Sequence, residues 1–184
     1  MRANRTRFSV ASLIAAIALA LLPTPEKNLA SAAAAGDCLA RVGGVDLQAA
    51  TIPNLQRALD AGRLTSVQLV NAYLARIRAY DGKLNSIRTL NPDALALARV
   101  LDRERAKGQL RGPLHGIPIL LKDNVNTTDM PTTAGSIALK GSVPHNDAFI
   151  TKQLRDAGAI ILGKLNLSEF AGWVSLSMPP GYSS

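Results

Sequence analysis

The sequence predicts an α/β fold in which helices pack against strands. Three observations support this class. Two apolar runs, 117–121 and 159–162, have the length of buried strands and are too short for helices. The segment 147–157 between them reads as a helix, and three helical patterns precede the first run. Strand, helix and strand joined by short links indicate layers of helix on sheet.

The three leading helices are amphipathic and are bounded by start and stop residues. Each begins at a capping residue or a proline and ends near a glycine. The predicted helices run from Thr51 to Gly62, from Thr65 or Ser66 to Asp81-Gly82, and from Asn91 to Lys107-Gly108. We therefore expect three helices before any strong strand, followed by a loop over 126–141, which is rich in Thr, Gly and Pro.

Composition bounds the size and partners of the chain. The 184 residues, 47% hydrophobic and 18% charged, are enough for one globular domain with a buried core. Aromatic residues make up only 4%, which argues against a base-stacking surface. The net charge is +8, but many cations alternate with acids, as in 102–107, which favours a solvated helix face. No nucleic-acid partner is predicted.

The amino terminus has the three-part layout of a cleavable signal peptide. Three arginines lie within 1–7, residues 8–22 are almost wholly apolar, and 31–35 supplies small residues. An apolar run of about 15 residues is short of the roughly 20 that span a bilayer. We predict a signal peptide at 1–35, a linker at 36–45 and a domain at 46–184. The mature protein is then secreted or periplasmic, with no membrane association after cleavage.

Several common catalytic and binding motifs do not fit this sequence. The segment 158–164 has the spacing of a P-loop, but its middle reads as a strand and Leu165 replaces the Ser or Thr that binds magnesium. His115 and His145 lie in turns without a supporting triad, so a turn or packing role is favoured for both. Cys38 is the only cysteine, which excludes an intrachain disulfide and a Cys-based zinc cluster.

Lys122 is the candidate catalytic residue. It ends an apolar strand, where loss of water disfavours the charged ammonium and suits a proton acceptor. On spacing alone, however, a lysine followed by Asp123 is more often a solvated or ion-paired strand end. Local pattern therefore leaves both interpretations of Lys122 open.

Four sequence blocks in a fixed order decide between these interpretations. They resemble the amidase signature family and cover most of 46–184. The blocks are 112–124 (GPLHGIPILLKDN), 132–136 (TTAGS), 147–148 (DA) and 154–171 (LRDAGAIILGKLNLSEFA). The resemblance implies the amidase-signature fold, a mixed central sheet flanked by helices, of which this chain is the amino-terminal part.

The resemblance also implies a reaction. In that family a Ser-Ser-Lys arrangement hydrolyses amide bonds without cofactor or metal, and Lys122 occupies the position of the terminal base. A bridging serine relays the proton and a second serine attacks the carbonyl carbon. The implied substrate is a small amide or a peptide amide, and the signal peptide argues against the family's cytoplasmic tRNA-linked role.

The nucleophilic serine is expected beyond residue 184. The bridging serine is expected near the end of this chain or beyond it. Gly181-Tyr182-Ser183-Ser184 is similar to the bridging block, yet it reads better as the loop before it. Even with Ser183 as the bridge, the nucleophile lies beyond residue 184. We therefore expect a fragment that is inactive alone, the alternative being an inert secreted truncation product or a binding remnant. The particular amide and the oligomeric state stay open.

Overall fold

The computed structural model of the protein describes residues 40–171. The predicted signal peptide and Ser183 lie outside the described residues. The elements, in chain order, are β1 (Arg41–Val42), β2 (Val45–Asp46), α1 (Ile52–Asp60), α2 (Ser66–Leu84), β3 (Ile87–Leu90), α3 (Ala94–Ala106), β4 (Pro118–Lys122), α4 (Phe149–Asp156) and β5 (Ile160–Leu165), with 3₁₀ turns at Ile137–Leu139 and Glu169–Ala171.

The main sheet is mixed and has the strand order β3-β5-β4. β4 runs parallel to β5, and β3 runs antiparallel to it. Parallel pairing brings the carboxyl ends of β4 and β5 to the same edge, where Lys122 lies opposite Leu165. A mixed sheet with helices is the architecture that the sequence implied, and it places the candidate lysine at a sheet edge.

Apolar side chains on the two faces of the sheet pack against different helices. Ile160 and Leu162 of β5 belong to a core that α2 and α3 cover, whereas Ile161 packs with Leu121 and Met130. Leu154 of α4 lies against this second core. Alternation along β5 therefore buries one face under α2 and α3 and the other against α4.

Two sets of hydrogen bonds stabilise the first turn of helix α2. Thr65 and Gln68 form a capping box, each accepting a hydrogen bond from the other's backbone N–H. Asp102 of α3 also accepts hydrogen bonds from the backbone nitrogens of Ser66 (2.7 Å) and Val67 (3.1 Å). These bonds satisfy donors that the first turn leaves without helical partners and tie α3 to the start of α2.

The other end of α2 differs from the sequence prediction. The predicted stop at Asp81-Gly82 is wrong, because the helix continues to Leu84 and ends at Asn85 in the left-handed region (φ 52°). The Asp81 carboxylate instead accepts hydrogen bonds from the backbone nitrogens of Ser86 (2.8 Å) and Ile87 (3.2 Å). Asparagine tolerates this backbone conformation better than most residues, so it can end a helix as glycine does.

The short strand β3 was not expected from the sequence, which predicted three helices before any strong strand. It lies between α2 and α3 and pairs antiparallel with β5. Four residues carry too short a pattern to be read alone, and the pairing with β5 supplies their backbone partners. In addition, residues 41–45 of the predicted linker lie in the β1–β2 hairpin.

One helix start and one strand end also differ from the sequence prediction. Helix α4 begins at Phe149 instead of Asp147, whose carboxylate accepts a hydrogen bond from the backbone nitrogen of Thr128 (2.8 Å) in the preceding loop. Strand β5 extends three residues beyond the predicted run, to Leu165, which places Lys164 inside the sheet. Within residues 40–171, no helix is long and apolar enough to cross a bilayer.

Candidate active site

Lys122 lies at the carboxyl end of β4 and is held by a hydrogen bond. Its Nζ donates to the backbone oxygen of Asn166 at 2.8 Å, just beyond the end of β5. The side chain is exposed among the described residues, so they do not provide the loss of water that the sequence predicted. The ammonium is thus fixed in direction while remaining accessible.

Asn166 is itself anchored to the end of α2. Its backbone nitrogen donates to the oxygen of Ser86 at 2.8 Å, and its side-chain Nδ2 donates to the oxygen of Asn85 at 2.9 Å. The Asp81 carboxylate in turn accepts hydrogen bonds from Ser86. A continuous chain of hydrogen bonds therefore runs from α2 to the acceptor of Lys122.

A shallow depression of about 300 Å³ surrounds the Lys122 side chain. It is lined by Asn85, Ser86, Lys122, Leu165, Asn166 and Leu167. The lining combines a cation with amide, hydroxyl and leucine side chains. A depression of this size can hold a small polar group beside the ammonium.

Asp123 follows Lys122 but is completely buried. Its backbone nitrogen donates to Leu165 O (3.0 Å), and its backbone oxygen accepts from the nitrogen of Ala134 (2.9 Å). Its carboxylate Oδ2 accepts hydrogen bonds from both the backbone nitrogen and the hydroxyl of Thr133. Asp123 thus joins the end of β4 to β5 and to the loop that contains the TTAGS block.

Lys164 of β5 is also completely buried and faces Asp123. Its Nζ lies 3.5 Å from Asp123 Oδ1 and donates hydrogen bonds to Thr132 Oγ1 (2.8 Å) and Pro131 O (3.2 Å). Burial lowers the pKa of Lys164, and the negative charge of Asp123 opposes that shift.

Sequence reasoning missed this buried pair. It included Lys164 in a failed P-loop and in the block 154–171, without giving it a buried partner. The available signal was a lysine continuing an apolar strand, since a charged residue inside such a strand needs a buried partner.

His115 has the packing role that its turn predicted. The imidazole is fully buried, Nδ1 accepts a hydrogen bond from the backbone nitrogen of Arg111 (3.1 Å), and Nε2 lies 2.9 Å from Leu101 O. Because a carbonyl oxygen only accepts, Nε2 is the donor in that bond. Both ring nitrogens are occupied, which leaves none for proton transfer. His145 is exposed in a loop.

The fold and the lysine-bearing block at the edge of its mixed sheet place the chain in the amidase class of proteins. The Amidase family model matches residues 68–181, more than half of the chain. The chain belongs to the amidase family, whose members hydrolyse carbon–nitrogen bonds.

Individual relatives agree with this assignment. A Schizosaccharomyces pombe protein named "Putative amidase" is 49% identical over 141 residues, which are 76% of this chain and 24% of that protein. A glutamyl-tRNA(Gln) amidotransferase protein of Streptomyces coelicolor is 42% identical over 127 residues, 68% of this chain and 26% of that protein. The X-ray structure of the native peptide amidase from Stenotrophomonas maltophilia matches with a TM-score of 0.65 and 53% identity, covering 66% of this chain and 26% of that one.

The chain spans about a quarter of the length of these relatives. The family match over residues 68–181 contains the lysine-bearing block 112–124.

Proposed function

We propose that this chain is the amino-terminal part of an amidase that hydrolyses small amides or peptide amides by a Ser-Ser-Lys mechanism. The observation that carries the proposal is the position of Lys122, at the carboxyl end of β4 with its Nζ on Asn166 O and its side chain accessible from the depression. The family assignment supports the reaction class. The peptide amidase relative favours amides as the substrate class.

Lys122 acts in this proposal as the terminal proton acceptor. A lysine can take a proton only when its amine is neutral, which requires loss of water or nearby positive charge. The exposed side chain in residues 40–171 means that other parts of the complete enzyme must cover the ammonium. A bridging serine then relays the proton of the attacking serine to the covered amine.

The 184 residues alone are proposed to be inactive. A lysine without a bridging serine and a nucleophile has no hydroxyl to activate, and the oxyanion site for the tetrahedral intermediate is expected beside that nucleophile. The alternative is an inert secreted truncation product or a binding remnant. These two proposals differ in what the gene encodes after Ser184.

The decisive experiment reads the DNA after the Ser184 codon and assays both products. If the reading frame continues into glycine- and serine-rich blocks, we expect the longer product to release ammonia from a carboxy-terminally amidated dipeptide and the 184-residue chain to release none. Lys122→Met should abolish the activity of the longer product. The matched control is Lys107→Met, which removes an exposed lysine at the end of α3 and should leave the rate unchanged.

Two outcomes contradict the proposal. Full activity of the Lys122→Met longer product removes the lysine from the mechanism. Amide hydrolysis by the 184-residue chain that Lys122→Met abolishes overturns the claim that this segment is inactive alone. A stop codon directly after Ser184 favours the inert product.

Export is proposed from residues 1–35. The arginine-rich start, apolar run and small residues match the layout of a signal peptide. Fusing these residues to alkaline phosphatase, which is active only after export, should give activity outside the cytoplasm, and replacing Leu13 and Ala16 with arginine should abolish it. Cytoplasmic retention of the unaltered fusion would contradict export.

A further inference from the structure

A buried ion pair lies directly beside the candidate catalytic lysine. Asp123 and Lys164 are both 0% exposed, with Oδ1 and Nζ 3.5 Å apart. Removing two charges from water costs several kcal/mol per ion, and well-packed apolar residues often stabilise a protein as much or more. Stability alone is therefore a weak reason for this pair, and its location suggests another role.

The pair is connected to Lys122 through the backbone of β4. Asp123 directly follows Lys122, the last residue of β4, so holding the buried Asp123 limits where the exposed Lys122 can lie. In the strand register, Leu121 lies opposite Lys164 and Lys122 lies opposite Leu165. Any displacement of Asp123 from Lys164 thus shifts the last residues of β4 and the direction of the ammonium.

The partners of Asp123 leave its carboxylate only one arrangement. Oδ2 accepts two hydrogen bonds from Thr133, while Oδ1 accepts none from the described residues and faces Lys164 Nζ. Lys164 is held from the other side by Thr132 Oγ1. The two threonines are neighbours in one loop, so the pair clamps that loop against the ends of β4 and β5.

We infer that the Asp123–Lys164 pair is a positioning element for Lys122, holding the end of β4 so that the Lys122 ammonium stays on Asn166 O inside the depression. Neither residue of the pair lines the depression, so neither contacts a substrate there. The catalytic part of this inference rests on the proposed function of Lys122. The positional part concerns the described residues alone.

The test measures the position of Lys122 without using enzyme activity. In the 184-residue chain, the acetylation rate of Lys122 by an N-hydroxysuccinimide ester is followed by mass spectrometry, relative to that of exposed Lys107. The double variant Asp123→Asn/Lys164→Met removes both charges at nearly constant shape. We expect it to fold by circular dichroism and to acetylate Lys122 several-fold faster, because the amine no longer stays bound to Asn166 O. An unchanged rate in the folded double variant overturns the inference.

Two variants of Thr133 test the inference if the double variant does not fold. Thr133→Val removes the hydroxyl that donates to Asp123 at nearly constant volume, whereas Thr133→Ser keeps it. The valine variant should raise the acetylation rate of Lys122 and the serine variant should not. Equal rates in both folded variants contradict the positioning role.

Activity separates this inference from the proposed function. In a longer product that hydrolyses amides, the double variant should lower kcat by about 100-fold, as expected for a small displacement of a catalytic group, with KM unchanged. If the Lys122→Met longer product remains active, the proposed function fails, while the acetylation rates still decide the positional claim. A folded double variant with unchanged kcat but faster acetylation contradicts the catalytic part alone.

Discussion

The Nζ atom of Lys122 lies 2.8 Å from the backbone oxygen of Asn166, which joins the carboxyl end of β4 to the residue that follows β5. A backbone carbonyl is a neutral acceptor, so it directs the ammonium without adding a negative charge beside it. A carboxylate in the same place would favour the charged form of the lysine. The bond to Asn166 therefore directs the ammonium without forming an ion pair.

The side chain of Asn166 should be required for this geometry. Asn166→Asp keeps the shape of the side chain but removes the Nδ2 donor to Asn85 O, so two oxygens face each other. We expect the free energy of unfolding to fall by about 1–2 kcal/mol in urea titrations. The control is Asn54→Asp in α1, where the side-chain oxygen accepts from Arg57 and is retained. An equal loss in both variants would contradict the proposed anchoring.

Burial of Lys164 should make stability depend on alkaline pH. Its pKa is lowered in the folded state, so between that lowered value and the ordinary 10.5 the unfolded chain binds more protons. Stability contributed by this group therefore rises with pH across that window. Urea midpoints measured from pH 7 to 10 should rise for the wild type relative to Asp123→Asn/Lys164→Met. The exposed-lysine variant Lys107→Met should follow the wild type, and parallel curves for all three proteins would refute the expectation.

Local sequence signals were sufficient for some elements. The start of α2 depends on the side chains of Thr65 and Gln68, three residues apart, so its capping pattern is readable without the rest of the chain. The parallel strands were readable as apolar runs of strand length, and the order of four blocks made Lys122 the candidate catalytic residue. These features share one property, because the residues that determine them are close in sequence.

The features that were missed depend on distant residues. Strand β3 forms by pairing with the edge of β5 that β4 does not occupy. Asp123 and Lys164 come into contact only when β4 and β5 lie side by side. Lys122 and Lys164 both follow an apolar run, so that signal alone does not tell which of the two lysines is buried. The difference in burial is a tertiary property, and periodicity does not carry it.

Asp81 should stabilise the connection from α2 to β3 only while it is charged. Hydrogen bonds from Ser86 lower the pKa of Asp81, so its contribution is present above the ordinary value of 3.8 and is lost as pH falls through the lowered one. Asp81→Asn should thus lower the urea midpoint at pH 7, and the difference from wild type should disappear at strongly acidic pH. Asp156→Asn, which breaks only an exposed ion pair with Lys152, should change the midpoint little. A wild-type advantage that persists unchanged at acidic pH would show that the charge is not responsible.

Gly158 should resist substitution for two separable reasons. It has φ +86°, and a Cβ placed on it would lie 2.7 Å from the Cα of His115. Gly108 has a similar φ, +72°, but no atom within 4 Å of the added carbon. Gly108→Ala should therefore lower the free energy of unfolding by roughly 1–2 kcal/mol, the cost of the left-handed backbone alone. Gly158→Ala should lower the free energy of unfolding by about 1–3 kcal/mol more, because its methyl group also overlaps the turn that leads into β4.

The two alanine variants separate these terms in a single urea experiment. Gly158→Ala should unfold at a clearly lower urea concentration than Gly108→Ala, because the turn at 112–117 must move to accept the methyl group. That turn is held against Gly158 by the hydrogen bond from the Gly116 nitrogen to the Gly158 oxygen, at 2.9 Å. Its displacement would also disturb buried His115, whose Nε2 bonds Leu101 O in α3. Equal midpoints for the two variants would mean that backbone conformation accounts for the whole cost and that the close approach contributes nothing.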